Sequence, residues 1–118
     1  VTGSAFESAL AATDELELTV TGRVTGKLTT RPVWFVRRGQ KLYLLPVTGS
    51  DTAWYKNVLE TPAIRLAVGD AASSAVATPI ADPGAVAQVV KDFRDKYGAR
   101  DIAEWYPKTD VAVEVSLG

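Results

Sequence analysis

Two glycines, Gly22 and Gly26, enclose Arg23, Val24 and Thr25, with Lys27 and Arg31 just beyond them. A glycine-flanked turn exposes backbone N–H groups, and Arg23, Thr25, Lys27 and Arg31 add side-chain donors. That combination suits a phosphate or carboxylate. The same residues would also make an ordinary hairpin with solvated charges, so both readings stand at this point. A second candidate is Val47-Thr48-Gly49-Ser50-Asp51, where backbone donors ahead of a helix attract anions. Asp51 would oppose a phosphate unless it turned away as the helix cap, and a plain capping loop accounts for the same residues. Trp54 and Tyr55 follow, either as core or as a wall for a planar heterocycle. Tyr97, Trp105 and Tyr106 form a further aromatic group. Tyr97 falls on a core-facing stripe, whereas Tyr106, ahead of Pro107 in an expected loop, is the better candidate for a substrate-facing hydroxyl.

Carboxylate pairs offer little. Glu15 and Glu17 share the polar face of an alternating strand, and Asp92 and Asp95 the polar side of a helix. Both read as solvated faces rather than as a glycosidase or metal site. Composition narrows the chemistry further. The 118 residues include no cysteine and no histidine. A disulfide framework, a thiolate nucleophile, a Cys/His zinc site and a Ser-His-Asp triad are therefore excluded, and no metal is expected. A net charge of -1 provides no footprint for nucleic acid. No apolar run reaches the roughly 18 residues needed to span a bilayer. The first residues lack the basic and apolar regions of a signal peptide, so a cytoplasmic location is expected.

The elements that must position these residues are mostly strands. Alternation marks Glu15 to Gly22, with Leu16, Leu18 and Val20 on one face. A second strand is expected from about Leu28 to Arg37, with Val33 and Phe35 facing opposite to Trp34 and Val36, and Pro32 marking a bulge or an edge. Arg38-Gly39-Gln40 then turns into a strand from Lys41 to Pro46. Further strands are expected over Ala63 to Gly69, about Ser74 to Ala81, and Asp110 to Leu117. Asp82-Pro83 opens the clearest helix, ending near Gly98, with an apolar stripe of Val86, Val89, Val90, Phe93 and Tyr97. A shorter helix capped by Ser50 or Asp51 runs through Glu60. Weaker helical segments cover Ser4 to Ala12 and Arg100 to Tyr106. One domain over 1–118 is expected, of α+β class and mainly β: a six-stranded antiparallel split β-barrel with two to four short helices, and a sandwich as the runner-up.

Several of these strings in order resemble a known family. They are Thr21-Gly22-Arg23-Val24-Thr25-Gly26-Lys27, Arg31-Pro32-Val33-Trp34-Phe35-Val36-Arg37, Leu42-Tyr43-Leu44 and Ala53-Trp54-Tyr55-Lys56-Asn57. The family is that of the deazaflavin (F420)-dependent nitroreductases and quinone reductases, within the flavin-reductase-like, pyridoxamine phosphate oxidase-like split barrels. The resemblance spans roughly Leu18 to Gly69. It implies a split barrel binding coenzyme F420, or alternatively FMN, with hydride transfer carried by the cofactor. By that analogy Arg23, Thr25 and Lys27 hold the phosphate or acidic tail. Trp34, Thr48, Gly49, Ser50, Trp54 and Tyr55 surround the ring and its chain, and Tyr97 and Tyr106 face the second substrate. The chain departs from the pattern where Val24 replaces a lysine, where Thr29 replaces an arginine, and in a 47–51 loop without lysine. Lys27 and Arg31 supply some of that charge. The expected activity is hydride transfer to a small, planar, hydrophobic acceptor such as a quinone, nitroaromatic or enone. The alternatives are an FMN-binding reductase and a non-catalytic carrier of a flavin or hydrophobic ligand. A homodimer is possible, with Trp34 or Tyr43 as its apolar contact.

Overall fold

The computed structural model describes residues 2–117, with side chains from Ala5 onward. Its strands are β1 (Glu15–Thr21), β2 (Leu28–Trp34), β3 (Val36–Arg38), β4 (Lys41–Leu44), β5 (Ala63–Val68), β6 (Ala71–Ile80) and β7 (Ala112–Ser116). Four helices join them: α1 (Thr2–Ala11), α2 (Ala53–Glu60), α3 (Pro83–Tyr97) and α4 (Ala99–Trp105). All strand pairs are antiparallel, in the order β2-β1-β5-β6-β7-β4-β3. The two ends of that order, β2 and β3, are halves of one continuous run, so the chain itself joins them and the sheet curls into a split barrel.

The expected fold class holds, with seven strands in place of six. The extra strand comes from a break at Phe35, whose backbone leaves the ladder. Its N–H donates to the Tyr97 hydroxyl at 3.1 Å, and its carbonyl accepts from Lys96 Nζ at 2.7 Å. Buried backbone groups must find partners, and here the end of α3 supplies them. Pro32 lies on β2, an edge strand that pairs only with β1, which is where a sheet tolerates a residue without an N–H. β6 begins at Ala71, three residues ahead of the expected Ser74, because Gly69 (φ +58°) turns the chain tightly enough for Ala71 to pair with Val68.

The alternating patterns sort side chains into two apolar clusters. Inside the barrel, Leu16, Leu18 and Val20 of β1 meet Leu42, Leu44, Leu66, Val113 and Val115, with Phe6 and Leu10 of α1 and Trp54 and Val58 of α2 closing the ends. Each fully buried aliphatic or aromatic side chain contributes about 1.5–3 kcal/mol. Outside the barrel, the α3 stripe of Val86, Val89, Val90 and Phe93 covers Val36, Tyr43 and Ala112. Val33 and Phe35 belong to the inner cluster, Trp34 and Val36 to the outer one, as their opposite facing requires. Tyr43 is buried beneath the Arg38 guanidinium, which removes it as an apolar dimer contact, whereas Trp34, stacked on Tyr97, is partly exposed. Asp82 caps α3 by accepting from the Ala85 N–H at 2.9 Å. Among the described residues no helix is long and apolar enough to cross a membrane.

Candidate functional site

A cleft of about 440 Å³ opens beside the C-terminal half of β2. It lies between that strand, the loop after β4 and the end of α4. Trp34, Trp54, Trp105 and Tyr106 line it, with Val33, Leu45 and Val47 among its apolar walls. The chain has three tryptophans, and all three are on this surface. Trp34 is held by stacking on Tyr97, with ring centroids 4.4 Å apart and planes 9° apart. Tyr106 stands edge-on to Phe93 at 5.8 Å and tilted to Trp34 at 6.1 Å. Arg31 and Glu15 are the charged residues of the lining.

Two polar groups on this surface lack partners. Tyr106 is 7% exposed and Trp54 2% exposed. Neither the Tyr106 hydroxyl nor the Trp54 indole N–H meets a hydrogen-bond partner among the described residues, yet no described buried polar side-chain atom is left unsatisfied. Both groups therefore keep some exposure, on residues that line the cleft. Burial pushes the Tyr106 hydroxyl pKa well up, with the neighbouring Tyr97 adding to the shift, so the group remains a protonated donor at neutral pH.

The 47–52 loop and the 106–110 segment are stapled together next to the cleft. Thr48 and Lys108 form a parallel bridge, and Lys108 Nζ lies 2.8 Å from Asp51 and 3.8 Å from Asp110. The Asp110 carboxylate accepts from the Ser50 N–H at 2.9 Å and from Ser50 Oγ at 2.5 Å. Gly49 lies under it at φ +58°, where a Cβ would collide with Asp110 Oδ1. The bonds from Ser50, outweighing the desolvation that opposes them, hold the Asp110 carboxyl below the usual range. Lys108 does the same for Asp51.

The sequence-based candidates divide accordingly. Trp34, Trp54 and Tyr106 come together on the cleft. Tyr97 stands behind Trp34, and its hydroxyl is bonded to backbone: it accepts from Phe35 and lies 2.6 Å from the Asp14 carbonyl. Burial pushes its pKa up to about 12. Tyr55 points into the barrel core, where burial, then the Asp110 charge, raises its pKa. Thr48, Gly49 and Ser50 lie in or beside a 3-10 turn (Gly49–Asp51), whose anion is the chain's own Asp110. Neither Ser50 nor Asp51 caps α2. Thr52 occupies the N-cap position, and its hydroxyl turns back to accept from the Thr48 N–H.

Several donors of the glycine turn are engaged by the chain itself. The Gly22 and Gly26 N–H groups bond within the turn, and Lys27 N–H donates to Thr25 Oγ1. Arg23 donates to Asn57 Oδ1 from both its backbone N–H and its guanidinium, at 3.1 and 2.7 Å. That turn lies four residues along an extended strand from Arg31, roughly 13 Å. Arg31, expected as a donor of the glycine turn, and Trp105, expected only as part of an aromatic group, both line the cleft. Trp105 is 57% exposed beside the buried Tyr106, and its signal in the sequence was its place next to that tyrosine.

Comparison with known proteins places the chain in a wider setting. A family model described as "Uncharacterized protein conserved in bacteria" matches residues 8–115. No curated protein matches the sequence. Among solved structures, the chain is similar to an F420-H2 dependent reductase at 24% identity and a TM-score of 0.68, covering 87% of this chain and 94% of that one. It is also similar to the heme storage protein HutZ from Vibrio cholerae (14% identity, TM-score 0.71, 96% and 87% covered). A FAD-binding protein from Mesorhizobium loti matches at 12% identity and a TM-score of 0.69, with 98% and 88% covered. At these identities the likeness establishes the split-barrel fold.

Proposed function

We propose that this chain, which belongs to the DUF2255 family, is a split-barrel oxidoreductase that uses coenzyme F420 to reduce a planar hydrophobic acceptor: a quinone, a nitroaromatic or an enone. The observation that carries this reading is the cleft itself, lined by every tryptophan of the chain and by two largely buried residues, Trp54 and Tyr106, whose Nε1 and Oη donors have no partner among the described residues. Its volume lies in the range of small-molecule and cofactor sites. Flat apolar walls with few fixed donors fit a tricyclic ring that has acceptor atoms on its edge. The names of the F420-H2 dependent reductase and the FAD-binding protein among the structural relatives support the same ring.

When bound, the cofactor supplies the hydride chemistry; the protein supplies binding, orientation and exclusion of water. Trp34, immobilised by Tyr97, and Trp54 offer rigid aromatic surface. Val33, Leu45 and Val47 keep the floor apolar. Tyr106, protonated at neutral pH, holds its proton where an acceptor oxygen that gains negative charge can take it. The observed residues fit the ring better than the tail. The Gly49–Ser50 turn is filled by Asp110, and Arg31 is the sole cation of the lining.

FMN in the same cleft is the alternative cofactor. The shortage of cations favours a further reading, a non-catalytic carrier of the ring. Anaerobic mixing of the protein with reduced F420 or reduced FMN, then with menadione, separates the three. The proposal predicts protein-dependent oxidation of reduced F420. Faster turnover with FMN moves the protein to the flavin branch, and ring binding without turnover makes it a carrier.

A further inference from the structure

Resting on the reading that the cleft holds a flavin-type ring, we infer that the ligand's anionic group is directed along β2 onto Arg31, and that Asp110 bars it from the Gly49–Ser50 turn. The turn has the equipment of an anion seat: a backbone N–H and a hydroxyl from Ser50, bare backbone at Gly49, and a cation at Lys108. All of it is engaged internally. The Ser50 N–H and Oγ both donate to the Asp110 carboxylate, whose oxygen lies where a Gly49 Cβ would be. Lys108 is divided between Asp51 and Asp110. A phosphate approaching this turn would meet a carboxylate already in place, and like charges at contact distance repel strongly.

Arg23 lies outside the cleft lining, with its Nη1 turned onto Asn57 Oδ1 and the Ala53 carbonyl. Arg31 differs from both. It lines the cleft, and it forms no ion pair or hydrogen bond with any described side chain. Glu15 sits opposite Trp34 in the β1–β2 register, whereas Arg31 sits opposite Leu18. The negative charge of the lining thus stands at one end of this stretch of β2 and the positive charge at the other. A ligand with its ring among the tryptophans would extend its anion toward the Arg31 end.

FMN and riboflavin test this directly, because they share one ring and differ by a phosphate. Tryptophan fluorescence gives both dissociation constants. The inference predicts that FMN binds about tenfold more tightly than riboflavin, the scale of one charge-assisted contact. Arg31→Gln, on an exposed edge strand, brings the ratio close to one without changing riboflavin affinity. Ser50→Ala leaves the ratio intact even if both affinities fall. A ratio that survives Arg31→Gln, or collapses in Ser50→Ala, overturns the inference while the ring reading stands. Failure of both flavins to bind contradicts the ring reading and the inference with it.

Discussion

Tyr97 and Tyr106 carry the same hydroxyl on neighbouring elements, and their surroundings give them different tasks. The Tyr97 hydroxyl serves the Phe35 N–H and the Asp14 carbonyl, so Tyr97→Phe leaves backbone groups without a partner. We expect a loss of about 1–3 kcal/mol in urea unfolding. Tyr106→Phe removes a hydroxyl that has no partner among the described residues and keeps the ring packing. Its stability should stay within about 0.5 kcal/mol of the wild type, while acceptor reduction slows by about 10²-fold or more. The pH dependence has a definite sign. The Tyr97 pKa rises from 10.0 to about 12 on folding, chiefly by burial. Its contribution is fully present below about pH 10 and is lost as pH climbs through about 12, because the unfolded chain releases its proton first. Unfolding followed from pH 9 to 12 should show falling stability. Tyr97→Phe should flatten that fall in part, with Tyr106, shifted in the same direction, retaining the rest.

At the scale of elements, the site depends on the staple between the 47–52 loop and the 106–110 segment. Gly49→Ala places a Cβ on the Asp110 carboxylate at a positive φ. We expect destabilisation of about 2 kcal/mol or more by thermal unfolding, together with weaker ring binding, since Val47 and Tyr106 lose their fixed separation. A variant as stable as the wild type would show that the staple does not hold the loop. This element also marks the limit of what the sequence revealed. Thr48, Gly49 and Ser50 were readable as an anion-binding turn from residue types alone. That the anion is Asp110, 60 residues away, was not, because nothing local to the turn distinguishes an internal carboxylate from a ligand. The break between β2 and β3 follows the same rule. Its flanks alternate as expected, but its cause is Tyr97 and Lys96, more than 60 residues downstream. By contrast the Asp82 cap and the α3 stripe depend on neighbours three or four residues apart, and both were legible.

For the whole molecule, alternation specifies which face of each strand enters the barrel, so fold class and core were largely readable. The cleft was readable only in part. Trp34, Trp54 and Tyr106 meet there from three separate elements, and Arg31 joins them only through the path of β2. A ligand that binds the folded barrel and not the unfolded chain stabilises it by mass action, about 2.7 kcal/mol at a hundredfold excess over Kd. F420 or FMN should accordingly raise the Tm. The most direct test of the cleft as a ring site is a fluorescence titration, because all three tryptophans report from its walls. We predict saturable quenching by F420 or FMN with a Kd below about 100 μM, roughly −5.5 kcal/mol, and its loss when Val47→Trp fills the cleft from the rim. No quenching by either compound, or quenching unchanged in Val47→Trp, would contradict the account.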